Sequence, residues 1–274
     1  MVISNIIGGI NVGIIGFGKM GEAIANGLLK AKKYKIFFAE IDEKRANEVI
    51  GKYPQIKWLT LEQLIDTSQV IILAVKPQDL SQLLDKIDKI LKKEKLFVSI
   101  CAGISTSYLA GQLSKARIVR VMPNMGAVVG NSYSAITPGI KATPNDVKLV
   151  KEMLATIGKV EVISEDLMDA VTALSGSGPA YVALFIEALI DAGIRIGLPR
   201  SITEKLIFQT VLGTIELIIK NQKTPYEIKA MVSSPGGTTI SALHEFYEKG
   251  FPGIVISAVY KAFLRSKELS KTLS

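Results

Sequence analysis

Val12-Gly13-Ile14-Ile15-Gly16-Phe17-Gly18-Lys19-Met20-Gly21, VGIIGFGKMG, decides the fold. Val12–Ile15 is a short apolar run rich in β-branched residues, which suits a buried strand. The glycines then fall in the order G-x-G-x-x-G. A helical stretch follows through Leu29. Alone, a glycine-rich turn says little. Set between a strand and a helix, it has the context that a dinucleotide-binding turn requires. Gly16 makes the tight turn, Gly18 lets backbone approach a pyrophosphate, and Gly21 lets helix and strand pack closely. The residues between them, Phe17, Lys19 and Met20, would present backbone to the cofactor at the helix N-terminus.

The same alternation continues outward. Lys35–Phe38, Val70–Val75, Leu96–Ile100, Ile118–Met122 and Val160–Ile163 are further strand candidates. The run VIILAV at 70–75 is wholly apolar, as a strand covered on both faces should be. Thr143 can cap a helix whose first residue is Pro144. This spacing predicts an α/β domain over residues 1–163: a Rossmann-type, mostly parallel sheet with helices on both faces.

From residue 164 the pattern changes, and residues 164–274 contain no defensible strand. Ser164 can cap a helix through Leu174, and Pro179 begins another to about Ile196. The polar residues of the latter, Glu187, Asp191 and Arg195, fall four apart in one stripe. The remaining surface of so apolar a helix must be covered. Further helices are expected near 200–220, 225–232, 238–248 and 252–268. A helical tail with this many apolar faces predicts an all-helical dimerisation domain packed across a two-fold axis.

Composition narrows the classes. The chain has 274 residues, 48% hydrophobic and 21% charged, a globular balance at the apolar end. One cysteine, Cys101, excludes a disulfide framework within the chain and points to a reducing compartment, so a cytoplasmic protein is expected. Residues 1–18 carry no charge, but five glycines, two asparagines and a serine interrupt them, and no basic residue precedes them. We read neither a signal peptide nor a membrane span there. A second uncharged run, 170–186, contains SGSGP and reads as a turn entering a helix. The net charge of +8 comes from lysines scattered over helix surfaces, without the zinc spacing or aromatic–basic motifs of a nucleic-acid binder. No metal-ligand spacing is present.

Three strand ends should meet at the dinucleotide crevice. Glu40 ends the second strand, 19 residues after Gly21, where an acid accepts hydrogen bonds from the ribose hydroxyls of NAD. Asp42, Lys44 and Arg45 nearby leave NADPH open, but the spacing favours NADH. Ala74-Val75-Lys76-Pro77 ends another strand, with Lys76 either a cofactor contact or a solvated charge. Ala102 and Gly103 follow a third strand and are small enough to admit a nicotinamide ribose.

With these residues in view, the chain resembles the pyrroline-5-carboxylate reductases over nearly its whole length. The likeness rests on VGIIGFGKMGEAIANGLL at 12–29, AVKPQ at 74–78, RVMPN at 120–124, ALSGSGPAYV at 173–182 and VSSPGGTTISAL at 232–243. The last two segments together are specific to that family. The resemblance implies hydride transfer from NAD(P)H to a cyclic imine, giving proline, in a homodimer or a higher oligomer built from dimers. Two departures stand out: Met125-Gly126 replaces a usual Thr-Pro, and Glu40 stands where small polar or basic residues often receive a 2′-phosphate.

Imine reduction suits these residues. A protonated imine is already electrophilic, so the protein need mostly position two bound molecules. The single histidine, His244, and Cys101 need play no part. SPGGTT at 234–239 can hold the substrate carboxylate. Gly236 and Gly237 permit close backbone approach, and the N–H groups of Gly237, Thr238 and Thr239 open a helix. The resemblance gives Thr239 the contact with the imine nitrogen. Alternatively, Ser234 or Thr238 simply caps that helix. Ser177 in SGSGP has the same double reading: a cap for the helix at Pro179, or a secondary part of the cleft. Other readings remain open: a reductase of another imine or of a 3-hydroxyacid on the same scaffold, or a non-catalytic NAD(P)-binding redox sensor.

Overall fold

The computed structural model describes residues 9–273. The first part of the uncharged run at 1–18 therefore lies outside the described residues. One eight-stranded sheet is formed by β1 (Ile10–Ile15), β2 (Tyr34–Ala39), β3 (Lys57–Trp58), β4 (Val70–Leu73), β5 (Lys95–Ser99), β6 (Ala116–Met122), β7 (Ser132–Pro138) and β8 (Gly158–Val162), in the order β3-β2-β1-β4-β5-β6-β7-β8. Only the β6–β7 pairing is antiparallel. The expected strands are present. Two were not anticipated: β3, two residues long, and β7, which alternates Ser and Thr with apolar residues.

The register explains the apolar runs. Ile14 of β1 pairs with Phe38 of β2 on one side and Ile72 of β4 on the other. Val70 and Ile72 enter the core on one face, while Ile71 and Leu73 enter the core on the opposite face. The first face is covered by α1 (Lys19–Lys30), α2 (Glu43–Lys52) and α6 (Pro144–Leu154), the second by α3 (Leu61–Thr67), α4 (Pro77–Ile90) and α5 (Thr106–Gln112). Each fully buried large side chain contributes roughly 1.5–3 kcal/mol of transfer free energy, so both helical layers are held firmly. Thr143 caps α6 with a reciprocal bond to Asp146, and Pro144 occupies its first turn, as the sequence implied.

Beyond β8 the chain is helical. A 3-10 turn at Glu165–Leu167 leads into α7 (Met168–Val171), and a π-helical stretch at Thr172–Gly176 leads into α8 (Gly178–Arg195). SGSGP is therefore more helical than a turn: Ser175 and Gly176 close the π stretch, Ser177 is a bend, and Gly178 and Pro179 open α8. Gly176 belongs to the π stretch, where an added Cβ would lie 2.5 Å from the terminal methyl of Met122. Ser164 precedes the 3-10 turn without a side-chain cap bond, and Ser177 directly precedes α8. The Ser177 hydroxyl donates to the Thr172 carbonyl at 3.3 Å.

The chain divides into two compact units: one holds the sheet up to Ser177 and resumes at Ala262, and the other is Gly178–Lys261. The second unit contains α8, α9 (Arg200–Asn221), α10 (Pro225–Val232), α11 (Thr238–Glu248) and the first part of α12 (Phe251–Leu273). Within it, Gly193 lets α8 approach the buried Thr203 of α9, since a Cβ there would meet Thr203 Cγ2 at 2.3 Å. Large apolar side chains on α8 and α9 stay exposed in the single chain, among them Leu184, Phe208 and Leu212. Among the described residues one helical run, 165–195, is long and apolar enough to cross a membrane.

Candidate functional site

In the sheet, β1 lies between β2 and β4, so the chain reverses its direction of travel across the sheet at the β1–β4 boundary. Open α/β sheets bind ligands outside the carboxyl ends of strands at such a point. A cleft of about 990 Å³ opens there, walled by Gly16, Phe17, Gly18, Glu40, Ala74, Val75 and Lys76 together with the segment 58–63 and the outer face of α4. The structure thus gathers seven of the expected cofactor residues. Lys19 and Met20 lie just behind, in the first turn of α1, and Pro77 is in the first turn of α4. Ala102 and Gly103 form the turn after β5 and are not part of this wall.

The glycines have separable reasons. Gly16 sits at φ +83°, in the left-handed region, and a Cβ there would press on the Ala74 backbone. A Cβ on Gly21 would lie 2.7 Å from the Gly16 carbonyl. Gly18 differs: its backbone is ordinary, at φ −71° and ψ −172°, and an added Cβ meets nothing within 4 Å. The protein itself gives no reason for a glycine there, and the space beside it is a cradle. Gly18 is also the N-cap of α1, and no side chain caps that helix end. The first-turn N–H groups and the helix dipole therefore face an open anion site. The residues present fit the pyrophosphate of a dinucleotide.

Glu40 reaches from the end of β2 to the glycine turn. Its Oε2 accepts from the Phe17 N–H at 2.8 Å, and its Oε1 accepts from the Ile41 N–H at 2.8 Å and the Asp42 N–H at 3.2 Å. Arg45 meets the same residue from the other side, its Nε donating to the Phe17 carbonyl at 2.9 Å. Its other nitrogens are held by Glu22 and, at 3.3 Å, by Glu48. Glu22 also accepts from Lys52 at 2.6 Å and Tyr53 at 3.0 Å. Burial alone would raise the Glu22 pKa, but the hydrogen bonds from Lys52, Arg45 and Tyr53 and the Arg45 charge outweigh it and bring it down to about 2.

Lys76 is exposed at the N-cap of α4, its side chain making no cap bond. Cys101 is buried, its Sγ near the Leu73 and Val75 carbonyls, and burial pushes its thiol up to about 11. Such a thiol is not a nucleophile at neutral pH. His244 is an exposed residue of α11, 3.4 Å from Glu248 one turn on.

SPGGTT lies in the helical unit and forms the approach to α11. Gly236 adopts φ +70°, and the Gly237 N–H donates to the Ser234 carbonyl at 3.1 Å. Gly237 is the N-cap of α11, and no side chain caps this helix. Neither Ser234 nor Thr238 serves as the cap, so the simpler reading of these hydroxyls does not hold. The N–H groups of the first turn of α11 are left to solvent or an anion. Thr239 is half-buried in that turn.

The cleft wall includes residues that sequence reading passed over. Trp58, Thr60 and Gln63 arrive on β3 and the start of α3. The signal available was TLEQ at 60–63, a capping-box pattern, and Thr60 and Gln63 do cap α3 reciprocally.

Residues 165–269 match a family profile described as pyrroline-5-carboxylate reductase dimerisation, and residues 11–103 match one described as NADP oxidoreductase, coenzyme F420-dependent. The chain is 41% identical over 265 residues to a pyrroline-5-carboxylate reductase of Synechocystis, covering 96% of this chain and 99% of the relative. It is 39% identical over 265 residues to the pea enzyme of the same name, covering 94% and 96%. Among solved structures, the pyrroline carboxylate reductase of Plasmodium falciparum, with NADP bound, superposes with a TM-score of 0.87 at 33% identity, covering 95% of this chain and 98% of that one.

Proposed function

The chain belongs to the pyrroline-5-carboxylate reductase family, and from that premise we infer that it reduces the C=N bond of pyrroline-5-carboxylate to give proline, with NAD(P)H as hydride donor. The observation that carries the cofactor half is the Gly18 cradle at the uncapped start of α1. Incubation with the imine and either reduced cofactor, followed by amino-acid analysis, tests the reading. Proline is the expected product, and its absence with both cofactors sinks the reading. Oxidation of a 3-hydroxyacid with NAD(P)⁺ would move the protein to the alternative reductase class.

We propose the following roles. Gly16, Phe17, Gly18, Lys19 and Met20 hold the pyrophosphate through backbone N–H groups. Glu40 exchanges its bond to the Phe17 N–H for the ribose hydroxyls. Ala74, Val75, Lys76 and Pro77 line the path of the cofactor, and Ala102 and Gly103 admit the nicotinamide ribose. The bound cofactor supplies a hydride to the imine carbon. The open N–H groups of Thr238 and Thr239, joined by that of Gly237 when it exchanges its bond to the Ser234 carbonyl, receive the substrate carboxylate, with Ser234 and Gly236 shaping the loop. The Thr239 hydroxyl hydrogen-bonds the ring nitrogen, fixing which face of the imine is presented. Ser177, tied to the Thr172 carbonyl, has at most a supporting part. Positioning supplies most of the acceleration, because a protonated imine needs no further acid at carbon. The sensor reading has no use for an uncapped SPGGTT helix start.

NADH is the proposed preferred cofactor. Glu40 occupies the glycine turn, and the guanidinium of Arg45 is engaged by acidic partners, which supports a site for unphosphorylated ribose. The chain is a homodimer or a larger assembly built from dimers, and the exposed apolar side chains of α8 and α9 belong to the dimerisation region. The apolar run 165–195 falls inside that region, so a protein partner accounts for it without a membrane. Light scattering at micromolar concentration should give at least twice the chain mass. We further propose a cytoplasmic location and a functional boundary at 163/164. The dimerisation match, which begins at residue 165, supports that boundary.

A further inference from the structure

We propose that Glu22 sets cofactor choice by engaging the Arg45 guanidinium beside the adenosine ribose, so that it does not turn to receive a phosphate there. This inference rests on the dinucleotide assignment above and deepens it. Phe17, in the glycine turn, offers two backbone groups, and both are taken by side chains from the β2–α2 region: its N–H by Glu40 and its carbonyl by Arg45. A carboxylate and a guanidinium therefore stand on one residue, where the ribose hydroxyls of a bound dinucleotide are read. Glu40 opposes a 2′-phosphate. An arginine in the same place is the side chain best suited to receive one, through paired N–H donors.

Three of the five N–H donors of Arg45 are already engaged, which fixes the guanidinium and keeps it from turning freely toward a phosphate. Each of its three nitrogens already has an acceptor: Phe17 O for Nε, Glu48 for Nη1 and Glu22 for Nη2. The three acceptors differ in strength. Glu48 is more than half exposed and bonds at 3.3 Å, so solvent competes with it. Glu22 is the well-shielded one, with side-chain exposure of 19%. It is built in from α1 and braced by Lys52 and by Tyr53, on and just after α2. Glu22 touches no cofactor-facing wall of the cleft. It is a positioning residue that acts through Arg45.

The test is direct binding of NADH and NADPH, followed by cofactor fluorescence, with adenosine 2′,5′-bisphosphate and AMP titrated by calorimetry as fragments lacking the nicotinamide. The proteins are wild type, Glu22→Gln, Arg45→Gln and the double variant, with Glu22→Ala as a second release of the arginine. Thermal melts establish that each is folded. In wild type NADH binds more tightly than NADPH. Glu22→Gln moves the NADPH-to-NADH affinity ratio at least tenfold toward NADPH, about 1.4 kcal/mol, and bisphosphate gains over AMP alike. In the Arg45→Gln background the same substitution leaves the ratio unchanged. A merely structural role for Glu22 weakens both cofactors together and leaves the ratio alone in either background, and that result overturns the proposal. A selective loss of NADPH binding in Arg45→Gln alone also overturns it, since Arg45 would then already serve the phosphate. A wild type that binds neither cofactor removes the dinucleotide assignment itself, and this inference with it.

Discussion

The Glu40 carboxylate, at the end of β2, accepts the backbone N–H of Phe17 in the glycine turn at 2.8 Å. That bond puts a negative charge at the mouth of a site whose other feature is the positive end of α1. On the proposed assignment a pyrophosphate would be drawn to the helix, and a second phosphate on the ribose would meet the acid. At an effective dielectric near 20, like unit charges about 4 Å apart oppose each other by roughly 4 kcal/mol before screening. Wild type should use NADH at least tenfold more efficiently than NADPH, by kcat/KM. Glu40→Ser should narrow the gap, by weakening NADH and relieving NADPH. A tenfold NADPH preference in wild type that survives the substitution would show that Glu40 does not read the ribose.

Gly18 and Gly16 should separate binding from folding. Gly18→Ala places a methyl group in open space on ordinary backbone, so stability should stay within about 0.5 kcal/mol of wild type. Cofactor affinity should nevertheless fall at least tenfold, because the methyl group fills the cradle. Gly16→Ala meets the Ala74 backbone at φ +83° and should lose stability by about 1–3 kcal/mol. Calorimetric melts beside NADH titrations decide this. Undiminished NADH binding by Gly18→Ala would mean that the cradle holds no phosphate.

Thr239→Val tests the substrate loop. The swap keeps shape and removes one hydroxyl, whose hydrogen bond is worth about 0.5–1.5 kcal/mol, and more where the partner is charged. Turnover should drop by tenfold or more, with cofactor affinity nearly unchanged. Steady-state rates equal to wild type would reduce Thr239 to a helix-start residue.

Glu22 makes acid stability asymmetric. Its pKa lies near 2 in the folded chain, below the ordinary 4.5. A depressed carboxyl contributes stability that is fully present above about pH 5 and is lost as pH falls through 4.5 toward 2. Glu22→Gln should therefore be less stable than wild type at pH 7, by on the order of 1 kcal/mol after allowance for solvent screening. The gap should close on acidification. Urea unfolding of both proteins between pH 7 and pH 3 measures it, and a gap that is constant to pH 3 contradicts the pairing.

Much of this architecture was legible because parallel strands buried on both faces are written as unbroken apolar runs. VIIL in β4 is the plainest case. β7 was missed for the complementary reason. Ser132, Ser134 and Thr137 are buried, with Thr137 donating to the Ile163 carbonyl, so polar letters concealed a core strand. SGSGP concealed its helical part because Gly and Ser ordinarily break helices, whereas here Ser175 and Gly176 continue the run as a π segment and Ser177 alone bends. At the cleft, the glycine turn and Glu40 lie together where their spacing placed them. The Glu22–Arg45 pairing was not legible in this way, because it joins residues 23 apart on two helices, and such a partnership exists only once the sheet has set those helices side by side.

The chain leaves its sheet-bearing unit at Ser177 and re-enters it at Ala262, inside α12. There Ser266 and Ser270 donate to the Asp169 carboxylate at 2.7 and 2.9 Å. The helical unit is thus an insertion, and the first unit is discontinuous in sequence. During synthesis, a ribosome that has released every strand of the sheet has not yet released the segment that satisfies Asp169. That acid waits, solvated or unpaired, until α12 emerges. Maturation of the first unit is thereby coupled to synthesis of α12, and a nascent chain halted near residue 261 should be more open to proteolysis around Asp169 than one that extends through α12.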